Sequence, residues 1–184
     1  APNRLQSVLN EILIRCIPFL SHGSAYLRMR ALDMLRDGVA ILAPQERTAE
    51  LYPVLDRAWP LILARFGTSA TSVSLNGECD VNVWIHATGL VSTIAQHVSE
   101  GFGRRILKDI WPRWRQMLYT LCTDRSAQPR VMPRPERGAV AKRAHVHLYN
   151  QHATEGQVLF AILEALKSIA SSIGQKMENA VLWD

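Results

Sequence analysis

One short pattern recurs three times along this chain and constrains its fold more than any other feature. It reads Arg15-Cys16-Ile17-Pro18, then Arg57-Ala58-Trp59-Pro60, then Asp109-Ile110-Trp111-Pro112. Each copy lies in, or at the end of, a stretch whose apolar residues recur at helical spacing. A proline there removes a backbone hydrogen bond and crowds the preceding turn, bending the helix at a cost of about 3 kcal/mol. Three bends at matching places in alternate helices point to a repeated unit. Pro18 and Pro60 are 42 residues apart, within the roughly 40–47 period of HEAT and armadillo arrays. Pro60 and Pro112 are 52 apart, and a long Ser/Thr/Gly connection over 67–80 accounts for the excess.

Helical periodicity runs almost from end to end, and no segment alternates as a strand would. The first helix is expected over about 5–20, with Leu5, Val8, Leu9, Ile12, Leu13, Cys16 and Ile17 on its inward stripe. Gly23 is expected to end it in a left-handed conformation, and Ser24 to cap the next helix. That helix, about 25–42, turns Leu27, Ala31, Leu35, Val39 and Leu42 inward and Arg28, Arg30, Asp33, Arg36 and Asp37 outward; Pro44 stops it. Further helices follow over about 47–66, 81–98, 102–122 and 155–173, and a last one begins near Gln175. Pro129, Pro133 and Pro135 break the periodicity after Thr123. The prediction is an all-α chain, an α-solenoid of HEAT/armadillo-like helical hairpins in a right-handed superhelical stack. The expected organisation is one unit over 1–184: hairpins at about 5–43, 47–99 and 102–173, a truncated helix at 175–184, and a mobile Pro/Arg-rich insertion at 123–154. A start at Ala1 without Met, and a stop at Asp184 inside a helical pattern, give the expectation of a piece of a longer protein.

Composition narrows the function classes. With 48% apolar residues in 184, the chain has globular usage and the length of one domain. No stretch approaches the roughly 20 apolar residues of a membrane span. Cys16, Cys79 and Cys122 form no C-x-x-C pair, so a reducing cytoplasmic or nuclear setting is expected. The net charge of +5 raises nucleic-acid binding as a possibility, yet the segment 125–143 alone carries a sum of +5. The rest of the chain is neutral, and the basic segment has no interleaved aromatics on which bases would stack. An adaptor that binds nucleic acid or cargo through 125–143 is therefore the alternative reading, and nucleic acid is not the expected partner.

Catalytic and metal signatures are weak. There is no Gly-x-Ser-x-Gly elbow, Gly-rich phosphate loop or His-Glu-x-x-His. His145, Val146, His147 and His152 have a metal-like composition but lack a nearby Cys and a rigid frame, so solvated loop histidines are the expectation. Neither an enzyme nor a cofactor is expected. Aromatic residues and Arg are the usual anchors of protein interfaces. Arg104, Arg105, Trp111, Trp114 and Trp183 are accordingly the candidate partner contacts, with core packing the alternative for each Trp.

At these residues the chain also resembles the C-terminal region of the Tel-two-interacting protein one family. The resemblance rests on Val8 to Asn10 through Ile17-Pro18-Phe19-Leu20-Ser21-His22, and on Arg30 to Leu35. It continues in Leu51 through Arg57-Ala58-Trp59-Pro60 and in Phe102 through Asp109-Ile110-Trp111-Pro112. It covers most of 5–122 and, more weakly, 155–173. It implies a HEAT-repeat scaffold in the TTT co-chaperone complex, with Tel-two-interacting protein two and Tel-two as partners. It further implies work with the ninety-kilodalton heat-shock chaperone and its adaptors to stabilise phosphatidylinositol-3-kinase-related kinases.

Overall fold

The computed structural model describes residues 2–45, 48–66, 81–127 and 156–172. These residues are helical with short connections, and no strand occurs among them. Helix α1 (Pro2–Cys16) runs into a 3-10 turn at Ile17–Ser21, and α2 (Ala25–Leu42) into a second at Ala43–Gln45. Helix α3 is Thr48–Arg65 and α4 is Val81–His97. Helix α5 (Ser99–Arg105) passes through a π segment, Ile106–Ile110, into α6 (Trp111–Ala127). Helix α7 spans 156–172. The expected helix near Gln175, the 67–80 connection and most of the 123–154 insertion lie outside the described residues.

The helices form two layers. In the inner layer α2 packs lengthwise on α4, with Leu35, Val39 and Leu42 meeting Ala87, Leu90, Val91 and Ile94 in one continuous core. His86 Nδ1 lies 2.7 Å from Asp33 Oδ1, and three residues on, a Cβ at Gly89 would lie 3.9 Å from Arg36 Nη1, so the two helices run in the same direction with these residues abreast. Gln96 of α4 hydrogen-bonds Ser168 of α7, which extends the layer. The outer layer holds α1, α3 and α5–α6. Antiparallel pairs whose equivalent helices lie in the same layer make an all-α solenoid.

The recurring prolines all belong to the outer layer. Pro18, Pro60 and Pro112 are exposed, whereas Cys16, Ala58 and Ile110, two residues before them, are buried. The shared register means that each proline faces solvent, away from the core. The missing N–H is accommodated in three different ways. Pro18 sits in the first turn of a 3-10 helix, where an unpaired nitrogen costs least. Pro60 stays inside α3. Pro112 follows the π segment, in which Trp111 N–H reaches Ile106 O, five residues back. The wider turn relieves the crowding that Pro112 would impose on Lys108.

Several local expectations are corrected. Val8 and Ile12 are 54% and 38% exposed, so the inward stripe of α1 is narrower than its apolar pattern. Gly23 does not take a left-handed conformation, and the helix ends instead at an extended His22. Ser24 occupies the N-cap of α2 but its side chain makes no cap bond. Arg28, expected outward, is 6% exposed. Its guanidinium donates to the carbonyls of His22 and Gly23 at 2.7 and 2.9 Å, so it fastens the turn that the serine hydroxyl does not. A long side chain with several donors can reach back over a turn and satisfy carbonyls that a hydroxyl cannot.

Candidate interaction surface

The outer seam between α3 and α5–α6 carries Arg104 and Arg105 of the predicted contact residues. Tyr52 stacks on Phe102, with ring centroids 6.0 Å apart and planes 8° from parallel. Trp59 meets the same ring edge-on at 5.2 Å. Gly101 makes this approach possible, because a Cβ there would stand 2.2 Å from the Tyr52 ring. Phe102 is 1% exposed and holds the two helices together from beneath.

Polar contacts repeat along the seam in register. Arg105 pairs with Asp56, and its guanidinium lies 5.0 Å above the Phe102 ring centre. One turn on, Trp59 Nε1 donates to Asp109 Oδ2 at 2.9 Å. A further turn on, Arg113 donates to Leu63 O at 2.6 Å. Residue numbers rise together on the two helices, so they lie parallel, as equivalent helices of consecutive repeats must.

The five predicted contact residues separate on this frame. Arg104 and Arg105 are exposed on the last turn of α5. Trp111 is half-buried and packs against the core. Trp114 is 1% exposed and so belongs to the core, 6.3 Å from Phe66, which in turn meets Trp84 at 5.4 Å. Core packing, the alternative for this Trp, is what the structure shows, and the neighbouring Arg113 reaches across to α3. Trp183 lies outside the described residues, as do His145, His147 and His152.

Three further surface residues were not singled out from the sequence: Asp56, Arg57 and Lys108. A signal for the seam was present in the repeat itself. The third position before the proline is Arg15, then Arg57, then Asp109. That reversal of charge within a repeated pattern marks the copy whose carboxylate takes the tryptophan N–H of the preceding copy.

Among the described residues, no group of three or more His, Cys, Asp and Glu side chains is placed to hold a metal ion. Cys16 is buried beside Met34, its Sγ 3.6 Å from the Met34 Sδ, and burial pushes its thiol pKa up. That is the opposite of what a nucleophile needs. No helix among the described residues is long and apolar enough to cross a membrane.

A family profile described as the TTI1 C-terminal TPR domain matches residues 1–183. No curated protein and no solved structure matches the chain. The profile's description uses the name of a repeat with a period of roughly 34 residues. Here the first two outer prolines are 42 apart, so these hairpins are longer than that repeat.

Proposed function

Because the chain belongs to the TTI1 family, as its C-terminal helical-repeat domain, we propose that it is a non-catalytic scaffold within a TTT-type co-chaperone assembly. Its direct partners in this reading are Tel-two-interacting protein two and Tel-two. Through them it supports the maturation of phosphatidylinositol-3-kinase-related kinases with the ninety-kilodalton heat-shock chaperone and its adaptors, in the cytoplasm and nucleus. The observation that carries the reading is the family match over 1–183. A stack of helical pairs suits the task, because it presents side chains from many helices along one extended surface.

Affinity purification of the full-length protein that carries this chain, with mass spectrometry of its companions, tests the reading. Tel-two-type proteins and PI3K-related kinases are expected to be enriched. Co-expression with Tel-two-interacting protein two is expected to give co-elution on size exclusion. Companions drawn instead from nucleic-acid metabolism, retained only while 125–143 is intact, would replace this reading with the adaptor alternative.

A further inference from the structure

The outer seam carries positive charge that has no carboxylate partner among the described residues. Arg57 on α3, Arg104 on α5 and Lys108 in the π segment are all exposed. None of the three has a hydrogen bond or ion pair among the described residues. Other cations of the outer layer are engaged: Arg15 with Glu11, Arg105 with Asp56, and Arg113 with the Leu63 carbonyl. The two carboxylates on the seam are already in use, Asp56 by Arg105 and Asp109 by Trp59.

Placement follows from contacts and helical spacing. Arg104 and Lys108 are one turn apart, so they share a face. The Arg105–Asp56 pair bridges the two helices. Arg57, next to Asp56, and Arg104, next to Arg105, therefore flank that bridge from either helix. The result is a strip of three cations, without partners among the described residues, across an aromatically packed joint. The inner layer differs: there Arg36 meets both Asp33 and Asp37.

We propose that this strip docks an acidic, Glu/Asp-rich segment of a partner protein. Guanidinium forks match carboxylates with two parallel hydrogen bonds, and an interface that supplies the missing anions gains attraction without breaking an internal pair. A protein segment suits the strip better than nucleic acid. Binding through phosphates usually rests on roughly 6–10 contacts, and the aromatic rings of this joint are committed to one another. The inference locates one contact of the proposed scaffold and rests on that reading for its partner class.

Fluorescence anisotropy on the full-length protein, with a fluorescein-labelled glutamate-rich peptide as probe, tests it. Binding at low salt that weakens as salt is raised is expected. R57Q/R104Q/K108Q is expected to lower affinity about tenfold, which corresponds to about 1.4 kcal/mol. An inner-layer control, R30Q/K167Q, removes two exposed charges and is expected to bind as the unaltered protein does. Far-UV circular dichroism checks that the variants fold, and the milder R104Q/K108Q is expected to give a smaller loss in the same direction. The proposal is overturned if the peptide does not bind, or if the triple variant and the control bind alike. It is also overturned if an oligothymidylate of equal charge binds more tightly and loses more on substitution. The assay needs no Tel-two-type protein, so its failure leaves the scaffold reading standing; absence of those companions in the purification leaves this result standing.

Discussion

Trp59 Nε1 donates a hydrogen bond to Asp109 Oδ2 at 2.9 Å, joining the second copy of the repeated proline pattern to the third. Trp59 is 5% exposed, so the bond is shielded on the indole side and has little competition from water. A hydrogen bond to a charged acceptor contributes about 1.5–3 kcal/mol. Asp109→Ala is therefore expected to destabilise by about 1.5 kcal/mol, and Asp109→Asn, which keeps an acceptor oxygen, by much less. A double-mutant cycle with Trp59→Phe in urea unfolding should show a coupling of about 1 kcal/mol. Additive effects would mean that the pair does not couple the two repeats.

Arg28 fastens the turn between α1 and α2 from a buried position. Arg28→Met keeps the aliphatic volume but leaves two carbonyls without their donor, so a loss of about 2–3 kcal/mol is expected. Arg28→Lys, which brings an ammonium in place of the fork, should fall between the two. Midpoints of chemical denaturation with an unchanged slope would report this as stability alone.

Gly101 lets Tyr52 lie flat on Phe102. In Gly101→Ala two effects oppose each other. Alanine favours helix over glycine by about 1 kcal/mol, while displacing a packed ring costs about 1–3 kcal/mol. Net destabilisation is expected, and the sign should reverse in a Tyr52→Ala background, where only the helix preference remains. Thermal melts of the four proteins check both signs.

Cys16 is buried and desolvated, which raises its thiol pKa. The folded protein should react slowly with iodoacetamide at neutral pH, since the thiolate is the nucleophile. Because the thiol titrates at higher pH folded than unfolded, stability is unaffected well below the ordinary thiol value of about 8.5. It falls as pH rises past that value, where only the unfolded chain readily gives up the proton. Peptide mapping by mass spectrometry should find Cys16 modified only as the protein unfolds.

Sequence and structure agree where burial alone decides. Trp84, Ala87, Val91, Ile94 and Val98 are all buried and recur at helical spacing, so the helix expected over about 81–98 is legible because it lies against neighbours along its length. Prediction failed where a neighbour decides. Val8 and Ile12 extend the apolar pattern of α1, yet no described helix covers that flank, and both are exposed. Arg28 looked like a surface charge because its partners are backbone carbonyls, which leave no trace in side-chain pattern. Trp114 is a candidate contact by residue type alone, but it packs into the core against Phe66. The seam depends on Asp56 and Asp109, residues that pattern reading passes over as ordinary helix-surface acids. Only their pairing across two helices, 49 and 50 residues away in sequence, gives them a role.

The unequal distribution of proline has a mechanical consequence. Helices α2, α4 and α7 contain none, while the outer layer carries Pro18, Pro53, Pro60 and Pro112. The inner layer is thus a stiff backing of intact hydrogen-bond ladders, and the outer layer is a row of springs, the one at α3 weakened by the two donors that Pro53 and Pro60 lack. Under load such a stack yields first by stretching its outer side, so compliance is directional and built in by sequence. A partner laid across the Asp56–Arg105 bridge would clamp two of those springs together, and would therefore set the curvature presented to whatever binds next.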